Sequence, residues 1–212
     1  MKLAILGASG HGKVVAETAR RAGWDTILFF DDAWPGLTRN MHWPVVGNFA
    51  MLLEMQADFD GVVIAIGDNA IRLGKTRELL AAGATLATII HPAAVVSEYS
   101  TLGAGSVVFA GAVIQADCKL GMACIVNTRA SVDHDCMIGD GVHVCPGTTL
   151  AGLVMVGETS WIGIGSCTRQ QVRIGARVTV GAGAAVINDI PDDATVAGVP
   201  ARILHAGRHV QD

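Results

Sequence analysis

His143 follows His134 by nine residues, and the run Asn127-Thr128-Arg129-Ala130-Ser131-Val132-Asp133-His134-Asp135-Cys136 places a carboxylate on each side of the first histidine. A carboxylate beside an imidazole favours its charged form and raises its basicity. That suits a general base that takes a proton from an attacking amine or hydroxyl. A lone histidine is more often a satisfied structural residue; Asp133 and Asp135 tip the balance toward chemistry. Cys136 and Cys145 offer a covalent alternative, but a thiol nucleophile needs activation. The five cysteines (118, 124, 136, 145 and 167) are odd in number and contain no CxxC pair, so neither bridges nor a zinc site is expected. They read as small apolar packing residues.

A second set lies near the start. An apolar stretch at 2–6 runs into Gly7-Ala8-Ser9-Gly10-His11-Gly12-Lys13, with a helix expected over 13–22, a strand over 26–30 and then Asp31-Asp32. This order predicts a β-α-β unit with an acid roughly twenty residues beyond the glycines. The glycine pattern is GxxGxG and not the dinucleotide GxGxxG. Such a turn lets a phosphate approach the N–H groups of a helix N-terminus, while Asp31 or Asp32 accepts bonds from ribose or base. Only one mononucleotide-sized half is present, so the expected nucleotide is part of a substrate and not a redox cofactor. A further strand over 62–66 ends in Gly67-Asp68-Asn69, a helix carrying Arg72 and Lys75 follows, and a last strand is expected over 86–90. His91-Pro92 then marks a turn. Two domains follow from this: an α/β unit over 1–90 and a second domain over 91–212.

What positions the histidines is a repeat. Counting in sixes from Ile90 to Val186, sixteen of seventeen positions are branched aliphatics, Thr168 being the exception, without one insertion. Two residues before most of them stands a small side chain, as at Ser106, Ala112, Cys118, Cys124, Ala130, Cys136 and Ser160. A period of six is neither the 3.6 of a helix nor the 2 of an isolated strand; it predicts a parallel β-helix. Gly103, Gly121, Gly139, Gly157 and Gly175 recur at eighteen, so three hexads make one coil of a triangular prism, with aliphatics inside. These glycines are expected to supply backbone of positive φ. His134 and His143 fall off the inward ladder and can face a groove.

Composition narrows the function classes. The 212 residues are 51% hydrophobic, 16% charged and 5% aromatic, with a net charge of −4, which excludes a disordered acidic chain and a polybasic nucleic-acid binder. Mean hydropathy is +0.45. Every apolar run is nevertheless broken well before the roughly 20 residues a membrane span needs. The first residues lack a secretory h-region, and a cytoplasmic location is expected.

The hexads, with Ile190-Pro191-Asp192 and Ala197-Gly198-Val199-Pro200-Ala201-Arg202 at their end, resemble the hexapeptide-repeat acyltransferases. More narrowly, Gly7 to Lys13, Phe30-Asp31-Asp32, Ala65 to Asn69, His91-Pro92, Val126-Asn127-Thr128, Asp133 to Cys136, Trp161-Ile162-Gly163 and Cys167 to Gln171 resemble the PglD-type nucleotide-amino-sugar N-acetyltransferases. The resemblance implies a left-handed β-helix, a homotrimer with active sites between subunits, and direct acetyl transfer from acetyl-CoA to the 4-amino group of a UDP-4-amino-4,6-dideoxy sugar. No metal is expected. It implies His134 as base, oriented by Asp135 where relatives usually carry Glu, with Asn127 near the amine and the Gly152 N–H holding the oxyanion. Ser9, Gly10, His11, Gly12, Asp31, Asp32, Gly67, Asp68 and Asn69 would bind the nucleotide sugar. His143, Ile164, Gly165, Gly181, Ala182 and Gly183 would bind acetyl-CoA. A GDP-perosamine N-acetyltransferase, a sialic-acid-type O-acetyltransferase and a non-catalytic nucleotide-binding solenoid stay open. A γ-carbonic-anhydrase-like zinc enzyme would need three histidine ligands, and the repeat offers His134 and His143, with His91 at its start.

Overall fold

A computed structural model describes residues 1–206, so the last six residues assigned above to the second domain lie outside the described part. Lys2–Leu6 (β1) is an apolar run buried on both faces, the pattern of a central parallel strand. It pairs in parallel with Thr26–Phe30 (β2) on one side, and on the other with Gly61–Ile64, numbered β5 below. The glycine turn feeds helix α1, Gly10–Arg21, which starts earlier than expected and carries Arg20 and Arg21 in its last turn, where cations suit the helix dipole.

The stretch after Asp32, which has no clear period, forms a short antiparallel pair, Arg39–Asn40 (β3) and Trp43–Gly47 (β4), and helix α2, Phe49–Met55. Strand β4 joins β2 in parallel, giving the sheet order β3-β4-β2-β1-β5. Helix α3, Asn69–Ala81, follows β5, with Asp68 capping its first turn through a 2.8 Å bond from the Ile71 N–H. The strand expected over 86–90 divides in two. Leu86 bridges to Val62 of the sheet, whereas Ile89–Ile90 pairs with Val107–Val108 of the solenoid.

From there the chain winds as a prism of two-residue strands. Ile89–Ile90, Val107–Val108, Ile125–Val126, His143–Val144, Trp161–Ile162 and Thr179–Val180 form the first face, which Ala194–Ala197 and the antiparallel Arg202–Ala206 extend. The second face runs from Val95–Val96 through Ser131–Val132 to Ala185–Val186, and the third from Thr101–Leu102 through Met137–Ile138 to Arg173–Ile174. Partners are eighteen residues apart in register, as Ser131 with Thr149. From Val108 to Val186 the ladder aliphatics fill one buried core with Ala112, Cys118, Cys124, Ala130 and Cys136. This is the expected left-handed parallel β-helix behind an α/β unit.

The corners differ from expectation in an informative way. The glycines at intervals of eighteen do not have positive φ. They sit where coils nearly touch: a Cβ at Gly139 would stand 2.7 Å from the Glu158 nitrogen, and one at Gly121 2.7 Å from that of Asp140. Left-handed backbone occurs instead three residues before each ladder position from Val108 to Val186, with φ between 54° and 75°. Gly105, Gly111, Gly141, Gly147, Gly165 and Gly183 fill some of these positions, but Asp117, Ala123, Arg129, Asp135, Leu153, Thr159, Gln171 and Arg177 fill the others. The buried corner thiols and hydroxyls bond across coils, Cys118 to the Asp133 carbonyl at 2.9 Å and Ser160 to that of Gly175 at 2.8 Å.

The α/β unit docks on the first face. Leu3, Ile5, Val15 and Phe29 share a core with Ile89, Val107, Phe109 and Ile125. Arg72, 1% exposed, donates to the carbonyls of Ala123, Gly141, Ile66 and Gly67 and to Asn69 Oδ1. Among the described residues no helix is long and apolar enough to cross a membrane.

Candidate active site

His134 stands at the corner between the second and third faces. Its exposed imidazole bonds through Nδ1 to Asp135 Oδ2 at 2.7 Å. Asp135 lies in the left-handed region (φ 58°), where a short polar side chain is tolerated, and that backbone turn swings its carboxylate onto the preceding residue. The hydrogen bond that His134 Nδ1–H donates to Asp135, and then the charges of Asp133 and Asp135, hold the His134 pKa above the ordinary imidazole value. Asp133 does not reach the ring; its Oδ1 accepts the His134 backbone N–H at 3.0 Å. One coil further, Gly152 lies under the imidazole, and any Cβ there would come 2.6 Å from Cε1 and Nε2.

Asn127 and His143 are elsewhere. They meet beside the corner between the first and second faces, Asn127 Nδ2 lying 2.9 Å from His143 Nε2. Asn127 Oδ1 already accepts the Thr128 N–H at 2.8 Å, so the amide donates to His143 and the imidazole proton belongs on Nδ1. His143 packs edge-on against Trp161, ring centroids 4.4 Å apart. Burial, then Arg72 and His11, drives the His143 pKa down to about 3, so it is neutral at physiological pH. Ile164, Gly165, Ala182 and Gly183 stack at this same corner, Ile164 being 57% exposed and Gly165 and Gly183 open to space beyond their own turns. Gly181 is tight, with a Cβ position 2.9 Å from Ala197 Cβ. Ile164, Gly165, Ala182 and Gly183 thus form an exposed column along one corner of the prism. One side of the prism, six residues or roughly 15–20 Å of extended chain, separates it from His134.

The glycine turn reaches the same column from the other domain. Gly7 (φ +105°) and Gly12 are demanded by packing: a Cβ on Gly7 would stand 2.8 Å from the Ala65 carbonyl oxygen, and one on Gly12 2.9 Å from Phe29. Gly10 has open space around it and Ser9 makes no side-chain cap, leaving the α1 N-terminus accessible. His11 lies edge-on to Phe109 at 5.7 Å and 6.4 Å from the His143 ring. Burial, then Arg72, lowers its pKa to about 4. Beyond the strand ends a cavity of about 170 Å³ is lined by Gly7, Asp31, Asp32, Phe49, Ile71 and Lys75. Asp31 bonds the Ala8 and Ala33 N–H groups at 2.7 and 2.9 Å, and Asp32 that of Phe49 at 3.0 Å.

Gly67, Asp68 and Asn69 sit at the joint between the domains. Asp68 caps α3, while the Asn69 amide bonds the Thr159 and Ser160 carbonyls, each at 3.0 Å. With Thr159, Trp161 and Arg177 they line a recess of about 680 Å³. All five cysteines are free, and only Cys167 is exposed. Among the described residues no cluster of three or more His, Cys, Asp or Glu could hold a metal ion.

A family model described as the PglD N-terminal domain matches residues 2–79. The UDP-N-acetylbacillosamine N-acetyltransferase of Bacillus subtilis (strain 168) is 41% identical over 112 residues, 51% of this chain. That match spans about half (51%) of the relative's own length. Among solved structures, the acetyltransferase domain of PglB from Neisseria gonorrhoeae FA1090, in complex with acetyl coenzyme A, is 46% identical with a TM-score of 0.92, covering 96% of this chain and 98% of that one. PerB from Caulobacter crescentus, in complex with CoA and GDP-perosamine, is 39% identical with a TM-score of 0.92, covering 97% and 98%.

Proposed function

Because the chain belongs to the hexapeptide-repeat sugar N-acetyltransferases that include the PglB acetyltransferase domain, we propose that it moves an acetyl group from acetyl-CoA to the 4-amino group of a UDP-4-amino-4,6-dideoxy sugar. The observation that carries the reading is the exposed His134–Asp135 pair, bonded at 2.7 Å, with Nε2 left free above Gly152. Asp135 holds the proton at Nδ1, and Nε2 takes one from the amine as nitrogen attacks the thioester carbonyl. The carbonyl carbon gains the C–N bond and loses the C–S bond; CoA leaves as the thiol. The backbone N–H of Gly152 stabilises the tetrahedral oxyanion. No acyl-enzyme forms.

Acetyl-CoA lies along the open corner column of Ile164, Gly165, Ala182 and Gly183, its thioester end toward Asn127 and His143. The nucleotide sugar occupies the glycine turn and the Asp31–Asp32 cavity, in a cytoplasmic reaction. The column and His134 lie on different corners of one prism. A ring of three subunits, each offering its His134 corner to the Asn127 corner of the next, brings them together. The second face between those corners has small outward residues, Ser131, Thr149, Cys167 and Ala185, and suits such packing.

GDP-perosamine is the second candidate acceptor, favoured by the similarity to PerB. Thiol release from acetyl-CoA, measured with UDP-4-amino-4,6-dideoxy-N-acetylglucosamine, GDP-perosamine and a hydroxyl-only sugar nucleotide, tests the reading. Release with the UDP-amino sugar, lost in His134→Ala, is expected. Preference for GDP-perosamine changes the acceptor assignment, and release with the hydroxyl sugar alone replaces N-transfer by O-transfer.

A further inference from the structure

Arg129 stands where its column uses glycine. Gly111, Gly147, Gly165 and Gly183 make the same left-handed turn on other coils of the corner between the first and second faces, and Arg129 makes it at φ 57°. Glycine adopts this backbone without steric cost and arginine does not, so the side chain calls for a use. Its stem lies over the preceding coil, with Cγ 3.2 Å from the position a Cβ on Gly111 would take. Arg129 is exposed, and its guanidinium has neither a hydrogen bond nor an ion pair among the described residues. The corner between the second and third faces is its opposite in charge, with Glu98, Asp117, Asp133 and Asp135 on three successive coils. Asp135 is taken by the His134 ring, and Asp133 accepts the His134 N–H. Asp117, exposed and left-handed at φ 60°, has no such partner among the described residues.

We propose that Arg129 pairs with Asp117 of the partner subunit, once at each of the three contacts of the ring, and that this pair sets the register in which one subunit's His134 corner meets the next one's Asn127 corner. The surface is thus built for a second copy of this chain. Rotation about a three-fold axis parallel to the prism leaves every height unchanged. Eighteen residues advance the prism by a strand spacing of about 4.8 Å, so Asp117, six residues after Gly111, stands level with it to within about 1.6 Å. The stem of Arg129, laid over Gly111, reaches toward that level. An ion pair open to water is worth little, but one covered by a subunit contact is screened less, and like charges placed there are costly. This inference rests on the ring proposed above and not on the identity of the acceptor.

The test is sedimentation of the full chain over a range of concentrations, read beside CoA release. Arg129→Asp and Asp117→Arg should each raise the concentration at half-assembly on the order of 10-fold or more, by setting like charges against each other. The double exchange should return it toward wild type. Both exchanges suit the turn, since aspartate and arginine already occupy left-handed positions of this prism at Asp135 and Arg177. A one-to-one mixture of the two single variants should assemble better than either alone, because each supplies the charge the other lacks. Assembly indifferent to the single substitutions, or a double exchange no better than they are, overturns the pair. An intact ring in which only Arg129→Asp raises KM for acetyl-CoA or the sugar nucleotide also overturns it, and gives the guanidinium to a substrate phosphate. A wild type that sediments as a monomer at every concentration removes the ring itself, and the pair with it.

Discussion

Gly152 is the floor beneath His134: the side-chain position it lacks would lie 2.6 Å from both Cε1 and Nε2 of the imidazole. Gly152→Ala therefore displaces the ring without touching the coil backbone. CoA release should fall on the order of 10–100-fold, as misplaced catalytic groups do, while the melting temperature stays near wild type. Gly121→Ala is the control with the opposite pattern, since its added methyl meets the Asp140 backbone at 2.7 Å. There the melting temperature should drop, and activity should follow the folded fraction.

The pH dependence of turnover reports on the second partner of His134. A base must be neutral to accept a proton, and Asp135 favours the charged imidazole, so the acidic limb of kcat/KM should lie above the ordinary histidine value of 6.5. Asp135→Asn preserves the left-handed turn, which asparagine also tolerates, but removes the charge. Its limb should move down toward 6.5, the value for an imidazole without that carboxylate. A limb that stays in place would remove Asp135 from the catalytic pair.

Separation of His134 from Asn127 by a whole side of the prism gives the shared-site arrangement a direct test. His134→Ala and His143→Ala should each be inactive alone. After mixing, unfolding and refolding together, about a quarter of the sites in a three-fold ring would combine an intact His134 corner with an intact His143 corner. Recovered CoA release near that level is the expected result. No recovery in a mixture shown to exchange subunits would place the complete site within one chain.

Arg72 carries a stability prediction. Arg72 is 1% exposed and its guanidinium bonds five oxygens, two of them, on Ala123 and Gly141, across the domain joint. Burial lowers its pKa, but only to about 10, so it stays charged at neutral pH. Arg72→Met leaves those carbonyls unpaired and should cost about 2–4 kcal/mol, read as a lower midpoint in denaturant unfolding. A change below about 0.5 kcal/mol, the range of surface substitutions, would show that water takes over the carbonyls.

The solenoid was legible because its side chains obey one unbroken arithmetic: each ladder aliphatic must point inward or the prism collapses. Its corners were harder to read. Glycine serves both close coil stacking and left-handed backbone, and the residue type alone does not distinguish them; Gly139 turned out to serve the first and Gly141 the second. Left-handed Asp135 and Arg129 gave no sign at all, because the geometry there is imposed by the coil and not by local preference. The stretch holding β3, β4 and α2 has no period and was passed over. Arg72 read as an ordinary helix charge, since its burial depends on carbonyls fifty and more residues away in sequence. The proposed cofactor residues, by contrast, were scattered along the sequence but share one corner, because eighteen residues of chain advance the prism by one coil.

The joint between the two halves also constrains how this chain can change. Arg72 and Asn69 grip the solenoid by main-chain oxygens of Ala123, Gly141, Thr159 and Ser160, not by side chains. The grip itself does not read those side chains, although Gly141 is held to glycine by its left-handed backbone and by Leu73 and Asn69 beside it. The number of coils between the four carbonyls, by contrast, is fixed by the grip. Dropping one eighteen-residue winding would shift every carbonyl beyond it by a strand spacing, about 4.8 Å, and break the grip while leaving the repeat itself well formed. Drift in this lineage is thus expected as substitution at fixed length across these coils, with growth or loss of windings confined to the far end of the prism.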